Sequence, residues 1–264
     1  MASMNEAEPL GFARRLAGEI AQACGGALRG AYLHGSAALG GWVAERSDVD
    51  VLLVVQDGIG GASVRAVGEL LAAADADCPG AGLEVSLVTV DQAATPRTPY
   101  MFLLHVAHEA ADRMRVVYGT EVTGDPDLIM HYVVCREAGI TLYGAPAAEL
   151  VGPVARGAVL RYLASELEWG VEHGTESYAV LNACRALEYL DGGRVVSKVA
   201  GGEAALARGS GPAGLIGRAL DQQRALAQAQ PPGKAAIEFA RDVGARLAGA
   251  ALASEAELPP GDRS

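Results

Sequence analysis

The sequence predicts an α/β N-terminal half followed by an all-α C-terminal half. Three short apolar runs have the length and composition of β-strands, and they cover residues 30–35, 48–55 and 83–90. After Pro99 such runs disappear, and the apolar residues recur instead with the period of a helix. Because strand patterns are confined to the first half, we expect an α/β domain followed by a helical domain.

The helices are predicted from periodicity and from the residues that end it. A first helix is expected over residues 10–24, since apolar residues recur at helical spacing until two consecutive glycines follow. The glycine-containing segment between the first two strands is compatible with a short helix, and residues 62–74 again show a helical pattern. The remaining helices are expected at 101–114, 127–138, 154–171, 177–190, 196–207, 213–228 and 233–252.

The domain joint is expected in the segment GAPAAELVGPV, which covers residues 144–154. This divides the chain into domains of residues 1–150 and 151–264. The C-terminal segment from residue 254 is polar and contains a proline pair, so we expect it to fray.

The composition of the chain limits the classes of partner that it is expected to bind. Acidic residues outnumber basic ones by 32 to 21, the formal net charge is −11, and no long Lys/Arg block is present. Nucleic acid is therefore not an expected partner, whereas metal ions or a cationic small molecule suit the negative field. The four cysteines form no CxxC pair, which argues against a zinc or dithiol site. Since no signal-peptide pattern or membrane-spanning apolar run is visible, we expect a cytoplasmic protein without a membrane partner.

Two aspartates interrupt the second strand pattern. Asp48 and Asp50 are separated by one residue, so in a strand they share one face, with Val49 and Val51 on the other. Neighbouring carboxylates repel each other unless a cation lies between them, and Mg²⁺ prefers oxygen ligands. The pair therefore predicts a metal site, although the solvated face of an edge strand would show the same pattern.

Three further residues add to this candidate site. Gly35 permits a tight turn and a close approach of the backbone to a ligand, and Ser36 offers a hydroxyl and an N–H that suit phosphate oxygens. Glu84 lies in the third strand and can share the pocket, either as a metal ligand or as the acceptor of a proton from an attacking hydroxyl. An exposed strand glutamate is the alternative. The scattered histidines His34, His105 and His108 form no metal triad and receive no role.

The segment HGSAALGGWVAERSDVDVLLV resembles the signature of the nucleotidyltransferase superfamily related to DNA polymerase β. That signature is a hydrophobic residue, Gly-Ser, about ten further residues and Asp-x-Asp between hydrophobic residues; here eleven residues separate Ser36 from Asp48. Further segments, in order, are similar to the aminoglycoside nucleotidyltransferases that adenylylate streptomycin and spectinomycin. The similarity extends from about residue 30 to 205 and includes GLEVSLVT, DPDLIMHYVVCREAGITLYGAP and YAVLNACRALEYLDGGRVVSKVAG.

The resemblance implies a nucleotidyltransferase domain with a small mixed sheet and flanking helices, followed by a helical bundle that binds substrate. It implies that Asp48 and Asp50 hold Mg²⁺, for which we expect two ions, and that Glu84 is the catalytic base. Contacts to ATP, the co-substrate, are implied for Ser36, Ser47, Asp127, Arg185 and Lys198; Gly35 is added to them from its expected turn. Outside the matching segments, Arg185 and Lys198 would be interpreted as solvated helix charges.

The sequence departs from this family where the drug is bound. The family carries Pro-Trp-x-Tyr-Pro and then Gly-Glu-Trp after the glutamate strand, whereas residues 95–110 contain neither tryptophan. The family's Gly-Asp-Glu-Arg-Asn is replaced by GTESY, with Thr175 in place of the aspartate. Because aromatic rings stack on sugars and carboxylates pair with ammonium groups, we predict acceptor contacts within the helical domain. The predicted contacts in this domain are Trp169, Glu172, Glu176 and Tyr178. A packing or surface role is the alternative for each of them. From the N-terminal domain, Glu84 is expected to contact the acceptor as well.

These features predict Mg²⁺-dependent transfer of AMP from ATP to a hydroxyl of a small, cationic acceptor, with release of pyrophosphate. An aminoglycoside or aminocyclitol antibiotic of the streptomycin or spectinomycin type is the expected acceptor. Two alternatives stay open: an enzyme of the same fold acting on another sugar, metabolite or protein hydroxyl, and a non-catalytic nucleotide-binding protein. We expect a monomer or a weak homodimer.

Overall fold

The computed structural model describes residues 4–109 and 113–256. The chain divides into two compact units, Met1–Pro153 and Val154–Ser264; the division falls within the segment 144–154, three residues after the predicted boundary between residues 150 and 151. Most of the C-terminal segment expected to fray, residues 257–264, lies outside the described part. Across the described ranges, no helix combines the length and the apolar character needed to cross a membrane.

The first unit contains helices and strands. Its helices are α1 Met4–Ala23, α2 Gly35–Ala38, α3 Gly61–Ala74, α4 Val90–Ala94, α5 Leu128–Ala138 and α6 Ala147–Leu150, and a 3₁₀ turn follows α3 at Asp75–Asp77. Its strands are β1 Leu28–Leu33, β2 Val49–Val55, β3 Leu83–Thr89, β4 Leu104–Glu109, β5 Arg113–Tyr118 and β6 Ile140–Gly144.

The described strands form one mixed sheet in the order β5-β4-β3-β2-β1-β6. Among the strands of this described sheet, only β2 and β3 are parallel neighbours, and α3 lies between them along the chain; each of the other neighbouring pairs is antiparallel. A parallel pair needs such a crossover, whereas antiparallel pairs can be joined by turns. The sheet confirms the predicted α/β class of the N-terminal half.

One face of the sheet forms the hydrophobic core with α1 and α3. Successive strand residues point to opposite faces, so Val51 of β2 and Val85 of β3 are buried in this core at 1% and 0% exposure. The residues that precede them, Asp50 and Glu84, therefore face the other side. Alternation in the two central strands thus separates the core from the acidic face.

The helix predicted over residues 101–114 is wrong. This segment contains β4 and the start of β5, and residues 110–112 lie outside the described part. Leu104 and Val106 pair with Leu87 and Val85 of β3 and are completely buried. Pairing with an open sheet edge satisfies the backbone hydrogen bonds of the segment, and this tertiary contact overrides the helical spacing of its apolar residues.

The edge strand β6 is absent from the sequence-based prediction. It is five residues long, directly follows α5 and pairs with β1. Most of its residues are exposed or half-buried, so its sequence lacks the apolar run that marks an internal strand.

The second unit is helical, as predicted. Its helices are α7 Arg156–His173, α8 Glu176–Gly192, α9 Lys198–Arg208, α10 Ala213–Gln223 and α11 Lys234–Ala256. Local capping explains several boundaries. The side chains of Thr175 and Ser197 accept backbone N–H groups at the starts of α8 and α9, and Gly193 and Gly209 end these helices in the left-handed conformation.

Candidate active site

Three carboxylates lie on the polar face of the sheet in the first unit. Asp50 and Glu84 occupy paired positions on the parallel strands β2 and β3. The pairing continues beyond β2, because the Val49 N–H donates a hydrogen bond of 2.8 Å to the Gly82 carbonyl. A Cβ added at Gly82 would lie 2.9 Å from Oδ1 of Asp48. Asp48 is therefore on the same side as Asp50 and Glu84, one step further toward the strand ends.

The Gly-Ser turn packs against these carboxylates. Gly35 has a φ of +58°, and a Cβ at this position would collide with the Asp50 carboxylate. The backbone N–H of His34 donates a 2.9 Å hydrogen bond to the Asp50 carbonyl, which ties the turn to β2. The hydroxyl of Ser36 is buried and has no hydrogen-bond partner among the described residues. The turn thus places Gly35 against the Asp50 carboxylate and buries the hydroxyl of the next residue.

Ser47 and Asp127 have local structural roles beside this site. Ser47 is buried, and its hydroxyl accepts a 3.1 Å hydrogen bond from the Val43 N–H, which shapes the loop before Asp48. Asp127 is the residue before α5, and its N–H donates to Oδ1 of Asp125 at 2.9 Å. Neither arrangement tests the nucleotide contacts implied by the resemblance.

Glu84 is paired with a histidine that the sequence analysis missed. Nε2 of His131, on α5, lies 3.2 Å from Oε1 of Glu84. Burial opposes ionisation of Glu84, but the hydrogen bond and charge of His131 outweigh it and lower the pKa of Glu84 to about 2. Burial also lowers the pKa of His131, but the bond to Glu84 and its charge raise that pKa to about 9. Glu84 is consequently a carboxylate at neutral pH.

No local signal in the sequence identifies His131 as a partner of Glu84. Its neighbours on α5 are apolar, and a lone histidine in such a helix is most simply interpreted as a packing residue. Two of the other histidines have separate partners: His105 Nδ1 lies 2.9 Å from the Ser86 hydroxyl, and His108 Nε2 lies 2.8 Å from the Asp75 carboxylate.

The donor chemistry fits the Mg²⁺ that the resemblance implies. Among the described residues, no three or more His, Cys, Asp or Glu side chains are arranged as a preformed metal site. Mg²⁺, however, is commonly held by one or two carboxylates together with substrate phosphates and water. Asp48 and Asp50 offer such a pair, and Gly35 leaves the Asp50 carboxylate the space a side chain would fill. One carboxylate oxygen of Glu84 is already engaged by His131.

In the second unit, an aromatic patch combines several predicted acceptor residues. Trp169 near the end of α7 is 50% exposed, and its ring centroid lies 5.6 Å from that of Tyr178 on α8. The ring of His173 stacks on Trp169 at 5.3 Å. Glu172 is exposed three residues after Trp169, which places it on the same side of the helix. We refer to Trp169, Glu172, His173 and Tyr178 as the aromatic patch.

The two basic residues implied in nucleotide binding lie on α8 and α9. Lys198 is the first residue of α9, and its Nζ lies 4.6 Å from the centroid of the Tyr178 ring. Arg185 lies where α9 packs closely on α8, since a Cβ added at Gly201 would be 3.0 Å from the Arg185 backbone nitrogen. Lys198 therefore adjoins the aromatic patch.

Glu176 has a different environment from the other predicted acceptor residues. It is 4% exposed at the start of α8, and its Oε1 accepts hydrogen bonds from Gln222 at 3.3 Å and Gln230 at 3.0 Å. The Arg218 guanidinium lies 3.5 Å from the same oxygen. This arrangement favours a structural role for Glu176 over the predicted contact with the acceptor.

Comparison with known proteins adds two similarities. Residues 149–244 match the family model described as "Aminoglycoside adenylyltransferase, C-terminal domain". The fold is similar to that of spectinomycin adenyltransferase AAD(9) from Enterococcus faecialis, whose crystal structure contains ATP and spectinomycin. The two are 16% identical, the match covers 88% of this chain and 97% of that one, and the TM-score is 0.66. No curated protein matches the chain.

At 16% identity the structural likeness shows the fold. Residues 149–244 are thus similar to the C-terminal domain of aminoglycoside adenylyltransferases, and the fold of the chain is similar to that of one such enzyme. This confirms the family resemblance predicted from the sequence.

Proposed function

We propose that this chain transfers AMP from ATP to a hydroxyl of an aminoglycoside or aminocyclitol antibiotic, with Mg²⁺ and with release of pyrophosphate. The observation that carries the proposal is the pairing of Asp50 with Glu84 beside the Gly35–Ser36 turn. The relative solved with ATP and spectinomycin supports this choice of co-substrate and acceptor.

The nucleotide is proposed to bind at the Gly35–Ser36 turn. The buried Ser36 hydroxyl can donate to a phosphate oxygen, and glycine allows the backbone to approach the triphosphate closely. Asp48 and Asp50 would hold Mg²⁺, which when bound supplies positive charge that offsets the charge of the triphosphate. Ser47, Asp127, Arg185 and Lys198 remain proposed ATP contacts on the basis of the resemblance.

Glu84 is proposed to accept the proton of the acceptor hydroxyl. As the hydroxyl oxygen bonds to the α-phosphorus, the bond from that phosphorus to the pyrophosphate oxygen breaks, and the product is an AMP ester. Glu84 has a pKa of about 2, far below that of an alcohol, so free deprotonation of the alcohol is unfavourable. Proton transfer must therefore be concerted with the attack.

The aromatic patch is proposed to bind the acceptor. The half-exposed ring of Trp169 offers a surface for a sugar ring, and Tyr178 lies close enough to extend that surface. The exposed carboxylate of Glu172 can pair with an ammonium or guanidinium group of the antibiotic.

Mass spectrometry tests this function directly. The protein is incubated with ATP, Mg²⁺ and either spectinomycin or streptomycin, and the antibiotic is examined for the mass gain of one AMP. We expect one of the two to gain AMP and pyrophosphate to appear in equal amount. The Asp50→Asn variant serves as the control and should form no product. If neither antibiotic is modified by the wild-type protein, these antibiotics are not its acceptors.

A different hydroxyl acceptor is the second candidate. Glu176, at the acidic position where the family binds drug amines, is buried and already bonded to Gln222 and Gln230. Residues 95–110 also lack the tryptophans of the family. AMP transfer to another sugar or metabolite, with both antibiotics unmodified, would establish this alternative.

A further inference from the structure

We propose that His131 is a positioning residue that holds the Glu84 carboxylate in the orientation needed to accept the acceptor's proton. This inference rests on the proposed AMP transfer and names a residue that neither the family match nor the sequence resemblance assigns. His131 acts through Glu84 and not on the substrate.

The contact joins elements that are distant along the chain. Glu84 is on β3, and His131 is on α5, one turn after the helix begins at Leu128. Nε2 of His131 lies 3.2 Å from Oε1 of Glu84, which is within hydrogen-bonding range. Because this bond involves Oε1, the proposed acceptor of the hydroxyl proton is Oε2.

The imidazole is itself held in place. The His131 side chain is 13% exposed, and its ring packs against the ring of His34 at a centroid distance of 4.6 Å. His34 is 2% exposed, and its backbone N–H is bonded to the Asp50 carbonyl. His34, which precedes the Gly-Ser turn, thus packs against His131 and helps to fix its ring beside Glu84. The packing limits the rotamers of His131 and, through it, those of Glu84.

Glu84 needs such a partner because of its position next to Asp50. The two acids are paired across parallel strands, so their like charges repel, and a glutamate without a partner can rotate away about three side-chain bonds. Displacement of a reacting group by about 1 Å can cost roughly 10²-fold in rate. The hydrogen bond from His131 opposes this displacement.

Two substitutions separate positioning from general packing. His131→Leu fills a similar space with an apolar side chain but removes the N–H donor. We expect kcat to fall about 10- to 100-fold and the KM for ATP to stay within a few-fold of the wild-type value. His131→Gln restores an N–H donor and should recover most of kcat. Val133→Ala, which removes buried volume from the same helix, is the packing control and should change kcat by less than about two-fold. An unchanged kcat in His131→Leu, or no recovery in a folded His131→Gln, would overturn the proposal.

A double substitution and a spectroscopic measurement complete the test. If His131 acts only through Glu84, His131→Leu should cause no further loss of kcat in a Glu84→Gln background; a full additional loss contradicts the proposal.

In the metal-free protein, the ¹⁵N signals of the His131 ring should shift on Glu84→Gln, and an absence of shift also contradicts the proposal. This second readout is independent of turnover. A wild-type protein that modifies neither antibiotic refutes the proposed function, while the ring signals still decide whether the pair exists.

Discussion

Asp50 and Glu84 occupy the two central strands of the sheet, where apolar residues would be expected on both faces. Their strands remain stable because the core lies on the opposite face, where Val51 and Val85 are completely or almost completely buried. The polar face compensates its charges with His131 and leaves space for ligands at Gly35. Apolar residues of these two strands therefore form the core, and the acidic residues between them form the candidate site.

Substitution of Glu84 tests its proposed role as the base. Glu84→Gln keeps the size of the side chain but removes the proton acceptor, so we expect kcat to fall by roughly 10²-fold or more. Affinity for ATP should stay within a few-fold, because the residue is not proposed to bind the nucleotide. Steady-state kinetics and calorimetric titration measure the two quantities. Turnover equal to that of the wild type would remove Glu84 from the base role.

The Gly35 position offers a second test with a matched control. Gly35 and Gly25 have almost the same backbone conformation, with φ of +58° and +57°, but only at Gly35 would a Cβ meet a carboxylate. Both alanine substitutions should lower the free energy of unfolding by about 1 kcal/mol through the left-handed backbone. Gly35→Ala alone should also lower kcat/KM for ATP, since it displaces Asp50. Equal kinetics of the two variants would show that the collision is relieved elsewhere.

Among the elements of the second unit, the start of α8 is fixed by polar contacts of Thr175 and Glu176. Thr175 caps the helix by accepting the N–H of Tyr178, and Glu176 is bonded to Gln222 of α10 and to Gln230. Thr175 therefore stabilises the start of α8 locally, and Glu176 attaches it to other parts of the second unit. The neighbouring acid Glu172 remains exposed and available to a ligand.

Paired substitutions distinguish these roles. Glu176→Ala leaves the amides of Gln222 and Gln230 without their acceptor, and we expect a loss of about 1 to 3 kcal/mol in the free energy of unfolding. Glu172→Ala should change stability by less than about 0.5 kcal/mol but raise the KM for the acceptor. Urea denaturation and acceptor kinetics provide the two measurements. A stable Glu176→Ala protein with a raised acceptor KM would restore the contact predicted from the sequence.

The strand β4 could not be predicted from its local sequence. Its apolar residues are compatible with both a helix and a strand, and the sequence-based prediction favoured the helix. The open edge of β3 decides the outcome, because Leu104 and Val106 become buried only when they pair with it. In contrast, α8 and α9 carry caps at both ends, so their boundaries could be predicted to within about two residues.

For the whole molecule, the central prediction is that ATP binds together with Mg²⁺. A ligand that binds only the folded state raises its stability, by about 2.7 kcal/mol at 100 times the Kd. We expect ATP with Mg²⁺ to raise the Tm and excess EDTA to abolish both this rise and AMP transfer. The thermal unfolding of the protein without ATP, measured with and without EDTA, is the control. An identical rise of Tm with ATP and EDTA would favour a nucleotide-binding protein without metal-dependent turnover.

Local information in the chain was sufficient for the α/β and helical halves, for the spacing of Gly35–Ser36 from Asp48 and Asp50, and for the resemblance to aminoglycoside adenylyltransferases. These features depend on alternation, periodicity and short motifs, which are properties of neighbouring residues. Tertiary structure alone decided that β4 is a strand, that Glu84 is paired with His131, and that Glu176 is buried. Each of these depends on a contact between distant segments, and the partner's position is set by the packing of the whole unit.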